Sequence, residues 1–216
     1  GENTGEVIEQ GWSVQIGNEK YDGVNTSDFV IPGEVVAGEK IILQNNLPME
    51  AHKLFTMRIY TRLSAVRVTS LGKELYNYAF EEGEWERFLG SGYHFVRLPQ
   101  SVVGICPVTI EIIASEDDAF SLLPEVVLTP AEEGYVYFVR THALGFFGSM
   151  FLFIWGVVIT GISLFYVVLD RKYRDIVNIG LFAMAGGLWT MCTTKSLEIF
   201  SKDLALNGTI EYAAVY

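Results

Sequence analysis

Apolar and polar positions follow two different rhythms along this chain. Up to about residue 128 they alternate in short runs, and from residue 143 they merge into long uncharged stretches. In the segment FTMRIY, Phe55, Met57 and Ile59 fall on one parity and Thr56, Arg58 and Tyr60 on the other. Val108, Ile110 and Ile112 alternate with Thr109 and Glu111 in the same way. A period of two is that of a strand with one buried face. Residues 12–16, 40–44, 65–68, 74–78, 94–98 and 125–128 read as further strands. Turn chemistry separates them: Ser70-Leu71-Gly72-Lys73 suits a tight hairpin, and Asn45-Asn46-Leu47-Pro48, Leu98-Pro99 and Leu123-Pro124 are expected to stop strands, because proline removes a backbone donor. About eight short strands at this spacing predict an all-β, jelly-roll-like sandwich over residues 11–140, after a tail at 1–10.

The second rhythm predicts helices. Residues 143–169 (ALGFFGSMFLFIWGVVITGISLFYVVL) are 27 residues without an acid or base. At 1.5 Å per residue they exceed a hydrocarbon core of about 30 Å, so a transmembrane helix is expected there. A second uncharged run from residue 176 predicts a helix over 176–199. Asn178, Thr190, Thr193 and Thr194 dilute it, so its stability in lipid calls for other helices to pack against. The loop between them, 170–175, carries Arg171, Lys172 and Arg174, and short loops rich in such residues stay in the cytoplasm. Residues 1–140 are therefore expected to be extracellular, with an outer loop at 200–211 and a third membrane helix starting at 212–216. That last run breaks off as it starts, and no export signal precedes Gly1, so the chain is expected to continue at both ends. On the first helix Gly145, Ser149, Gly156, Thr160 and Ser163 fall within about 60° of one another and make a stripe of small residues. Such a stripe serves either static helix packing or a face along which helices shift.

Composition supports this division. A chain that is 50% hydrophobic and 19% charged is too apolar for disorder. The net charge of −11 lies entirely in the first part: residues 1–140 hold 10 bases and 21 acids, residues 141–216 five of each. Neither total nor distribution suits a nucleic-acid partner. Cys106 and Cys192 fall in different layers, so the outer domain must close its core without an internal disulfide.

Candidate chemistry is sparse. His52, His94 and His142 lack metal-ligand spacing, and no phosphate loop or nucleophile elbow is present, so neither a metal, a cofactor nor a catalytic residue is expected. Glu116-Asp117-Asp118 offers oxygens for Ca²⁺, but reads better as a charged turn because EF-hand spacing is missing. The densest pairing of rings with acids is the stretch from Glu81 to His94. Trp85 and Tyr93 are candidates to stack on an extracellular small molecule or carbohydrate, Glu84 and Glu86 to accept its hydroxyl hydrogens, and His94 is a further candidate to bind it. The competing reading is a solvated acidic loop whose Trp85 packs on the sandwich.

A Trp-containing first strand, the strand end LQNNLP, the hairpin VRVTSLGKELYNY, the strands GYHFVRLP and VTIEIIAS, and helices carrying GLFAMAGGLW follow one another in this chain. From about Gly11 onward the order resembles the sensory half of bacterial multi-pass receptors of the GGDEF diguanylate cyclase type. The resemblance implies a jelly-roll outer domain, several membrane helices, and a cytoplasmic output, commonly a diguanylate cyclase and sometimes a histidine kinase. No GGDEF motif occurs here, so these residues are not expected to be an enzyme themselves. The expected partners are the bilayer, an extracellular ligand, and further helices and an effector of the same chain, with a homodimer compatible. The alternative is a membrane-anchored carbohydrate-binding or adhesion module without signalling output.

Overall fold

The alternating segments form two antiparallel sheets in the computed structural model, which describes residues 5–49, 54–99, 104–169, 174–199, 201 and 203–215. Two units are distinguished, Gly1–Tyr137 and Phe138–Tyr216. The strands of the first are β1 (Glu6–Val7), β2 (Trp12–Ile16), β3 (Glu19–Val24), β4 (Lys40–Met49), β5 (Phe55–Arg62), β6 (Ser64–Ser70), β7 (Lys73–Tyr78), β8 (Ser91–Arg97), β9 (Gly104–Ala114) and β10 (Val126–Pro130). One sheet has the order β1-β10-β5-β8, and the other β3-β2-β4-β9-β6-β7.

The core lies between the sheets and follows the predicted parity. Met57 and Ile59 of the smaller sheet, and Ile41, Leu43, Val66, Val68, Ile110 and Ile112 of the larger one, are buried together with Trp12. The Trp12 indole N–H, which would be costly to bury unpaired, donates to the Ile8 carbonyl at 2.8 Å. The β6–β7 hairpin turns through Leu71 and Gly72, both at positive φ (51° and 74°), and closes on the Ser70–Lys73 pair. This is the primed-turn geometry that matches strand twist, and glycine adopts it without strain.

Several boundaries differ from those expected. β4 does not stop at Asn45; it pairs with β9 from Lys40 through Met49, including Pro48 opposite Ile105. Proline is tolerated there because β2 pairs with β4 only as far as Gln44, leaving that end of β4 with a partner on one side. β3 went unpredicted, since Glu19-Lys20-Tyr21-Asp22 is an exposed edge without alternation. The expected tail contains β1, paired with β10. The sandwich ends at Pro130, and α1 (Ala131–Leu169) begins 12 residues before 143 (143 − 131). Hydropathy marks where a helix becomes apolar, not where it starts.

In the second unit α2 (Arg174–Thr193) leads through a 3-10 turn (Ser196–Ile199) to α3 (Leu204–Val215). The expected outer loop 200–211 is thus largely helix. Asp203 starts it as an N-cap, its carboxylate accepting from the Leu206 N–H at 3.1 Å. The segments His142–Val167 and Arg174–Thr193 are long and apolar enough to cross a membrane.

Candidate functional site

The residues grouped by the sequence between Glu81 and His94 occupy three different places. His94 and Tyr93 are neighbours on β8 and so face opposite sides of the smaller sheet. His94 is 1% exposed. Its Nε2 pairs with the Thr61 hydroxyl at 2.8 Å and its Nδ1 with the Tyr76 hydroxyl at 2.9 Å, and the rings of Tyr76 and Tyr78 lie 5.5 and 5.2 Å away. Since Thr61 and Tyr76 come from different sheets, this imidazole joins the two layers. Burial pushes the His94 pKa down to about 4 and the Tyr76 phenol up to about 12, so both are neutral at pH 7.

Trp85 lies over the outer side of the larger sheet. It packs with Ala65, Ala79, Leu89 and Ile113 as a second apolar cluster, and its ring edge meets the backbone at Gly38. A Cβ at residue 38 would stand 3.0 Å from Trp85, and the φ of +84° there independently favours glycine. Glu84 and Glu86 are exposed. Beside this cluster Glu111 pairs with Lys40 and with Arg67 (2.6 Å), while the Arg67 guanidinium stands 4.3 Å from the Phe80 ring centroid. Burial raises the Glu111 pKa, and the bonds from Lys40 and Arg67 more than offset that, leaving it below the usual value. Asp117, in the acidic turn, accepts from the Ala37 N–H at 2.8 Å.

Tyr93 belongs to a different assembly. It faces outward from the smaller sheet, paired across strands with Tyr60; the ring centroids are 5.0 Å apart and the planes tilted by 56°. The Arg58 guanidinium lies 5.3 Å from the Tyr93 ring centroid. These side chains wall a cleft of about 290 Å³ whose other side is the segment Phe120-Ser121-Leu122-Leu123-Pro124-Glu125, with Arg62 also lining it. An isolated bridge between Val30 and Leu122 and the bond from Ile31 N–H to the Ser121 carbonyl (3.1 Å) hold that segment in place. The cleft combines apolar ring faces, two cations and one carboxylate, a composition suited to orienting a small polar ligand.

No family model and no curated protein sequence matches this chain. Among solved structures, it is similar to a family 35 carbohydrate binding module from an environmental isolate, at 17% identity and a TM-score of 0.27, over 60% of this chain and 94% of that one. It is also similar to a family GH115 4-O-methyl-alpha-glucuronidase with specificity for decorated arabinogalactans, at 16% identity and a TM-score of 0.26, over 45% of this chain and 14% of that one.

Of the cleft residues, the sequence singled out Tyr93 alone. Arg58, Tyr60 and Arg62 stood in plain view as one outward parity of a single strand, R-x-Y-x-R, and that spacing was the available signal. The 120–125 segment carried none, because its approach to β5 and β8 is made by the fold.

The small-residue stripe lies where α1 meets α2. A Cβ on Gly156 would fall 2.5 Å from the Met184 backbone nitrogen, and one on Gly180 2.7 Å from the Thr160 nitrogen, so the backbones themselves are in contact. Gly145 faces Thr194, with 3.3 Å between its ideal Cβ position and the Thr194 Cβ. Ser149 and Ser163 are buried, and the Ser149 hydroxyl donates to the Gly145 carbonyl at 2.7 Å. Arg174 opens α2 and is exposed, whereas Arg171 and Lys172 lie outside the described residues.

Proposed function

We propose that this chain is the sensory part of a bacterial membrane receptor, in which an extracellular jelly-roll-like sandwich binds a small molecule and alters the packing of the helices that follow. The observation that carries the membrane part of the reading is the apolar exterior of those helices: Leu144 is 87% exposed and Phe182 82%, and Phe147, Phe151 and Phe165 are exposed with them. A soluble protein would bury such rings, and lipid is the solvent that accepts them. The basic loop Arg171, Lys172 and Arg174 supports a cytoplasmic side between α1 and α2. The Tyr60–Tyr93 cleft supports the binding role. The output, a diguanylate cyclase or a histidine kinase, rests on the resemblance described above.

Orientation is the first thing to measure. With Cys106 and Cys192 replaced by alanine and Lys172 by cysteine, an impermeant thiol reagent should label the protein only after cells are permeabilised. Labelling in intact cells would reverse the topology and end the receptor reading. The Tyr60–Tyr93 cleft equally favours a membrane-held carbohydrate-binding module. That reading differs in one respect: ligand would leave the separation of α1 and α2 unchanged.

A further inference from the structure

We infer that the cleft between β5, β8 and the 120–125 segment takes a sugar acid, a hydroxylated ring bearing a carboxylate. The inference rests on the cleft being the ligand site and goes on to name the ligand's chemistry. Arg58 and Arg62 project from the same parity of β5 and line the same cleft. Among the described residues neither has a carboxylate within ion-pair distance. Arg58 is half-buried against Tyr93 all the same, a place where a guanidinium without an ion-pair partner gains from a bound anion. The Arg58 guanidinium lies at cation–π distance from that ring, 5.3 Å from its centroid, and a guanidinium can receive a planar carboxylate through two parallel hydrogen bonds.

The rest of the cleft adds a ring and hydroxyls to that carboxylate. Tyr60 and Tyr93 present tilted ring faces against which the C–H face of a sugar can pack. Glu125 is exposed in the cleft, one residue before the Val126–Ile59 pair and hence beside Tyr60. It repels a second carboxylate but accepts hydrogens from hydroxyls. A flat aromatic acid would satisfy the arginines and leave Glu125 unused. The volume of about 290 Å³ is at the low end for ligand sites, so a single ring fits better than a long chain. The sequence as a whole carries −11, so a cleft with two arginines and one glutamate is a local reversal of sign that favours anion entry.

The test uses the whole chain in lipid nanodiscs and calorimetric titration with five probes: glucuronate, galacturonate, the neutral hexoses glucose and galactose, and benzoate. At least one hexuronate should saturate the protein, with both neutral hexoses and benzoate weaker by about tenfold or more. Arg58→Gln should weaken the hexuronate by a similar factor without moving the melting temperature, and Arg58→Lys should recover part of the loss. Should Arg58→Gln disturb folding, the exposed Arg62→Gln is expected to weaken hexuronate binding in a protein that melts normally. Hexuronate silence up to millimolar concentration, equal binding of a neutral hexose or of benzoate, or full hexuronate affinity in both well-folded arginine variants would each overturn the sugar-acid assignment. The membrane reading is judged separately by Lys172 labelling, so loss of the ligand class and loss of the receptor are distinguishable results.

Discussion

His94 shows how far single residues could be read in advance. Its position beside Tyr93 suggested one shared site, yet adjacent residues of a strand face opposite sides, and the same alternation that identified β8 separates the pair. What the sequence could not supply was the identity of its partners: Tyr76 and Thr61 come from strands that meet His94 only across and within the folded sandwich. The buried imidazole has a measurable consequence. In the unfolded chain it takes up a proton near the ordinary histidine value of 6.5, while in the native state it resists down to about 4. Its stabilising effect is therefore whole above pH 6.5 and is lost progressively as pH falls to about 4, a change on the order of 3 kcal/mol. Thermal melts across that window should show a slope that is absent from His94→Gln, a variant of lower overall stability. Parallel pH profiles for the two proteins would mean that His94 is not held neutral in the core.

At the scale of elements, strand and helix types were legible from their periods, while their ends depended on neighbours. Pro48 was expected to end β4, and the strand passes through it because pairing on the β2 side has already stopped. Asp203 and the capped start of α3 were missed because hydropathy alone assigned 200–211 to a loop. The small-residue stripe of α1 was visible, but its partners Gly180 and Met184 on α2 emerge only from the packed pair. That packing can be tested by cross-linking. In a Cys106/Cys192-free background, Gly145→Cys with Thr194→Cys should form a disulfide under mild oxidation, since the Cβ positions lie 3.3 Å apart, close to disulfide geometry. Adding Gly156→Leu should strongly reduce it, because the new side chain meets the backbone of Met184. Adding Gly148→Leu should not, as nothing lies within 4 Å of a Cβ there. Equal yields in both would exclude backbone contact at Gly156.

The molecule as a whole divides into a sandwich and a helical unit, and the sandwich should not need lipid to fold. Residues 5–130 contain both sheets and the core, and are expected to give a β-dominated circular dichroism spectrum and one cooperative thermal transition. Starting at residue 11 should lower the melting point by several degrees, because β1 no longer covers β10 and the Ile8 carbonyl no longer receives the Trp12 indole. A helix-rich spectrum or a broad, non-cooperative melt would contradict the two-sheet core. The sequence by itself determined the class of each half: alternation dictates strands with one buried face, and 27 uncharged residues dictate a long apolar helix, since both follow from the local repeat of the backbone and the transfer of side chains out of water. Tertiary structure alone decided the sheet order and the meeting of Arg58, Tyr60 and Tyr93 with the distant 120–125 segment. It also decided the placement of Trp85 against Gly38. These are contacts between residues far apart in the chain, which no local period encodes, because they depend on which strands pair and how the two sheets close on one another.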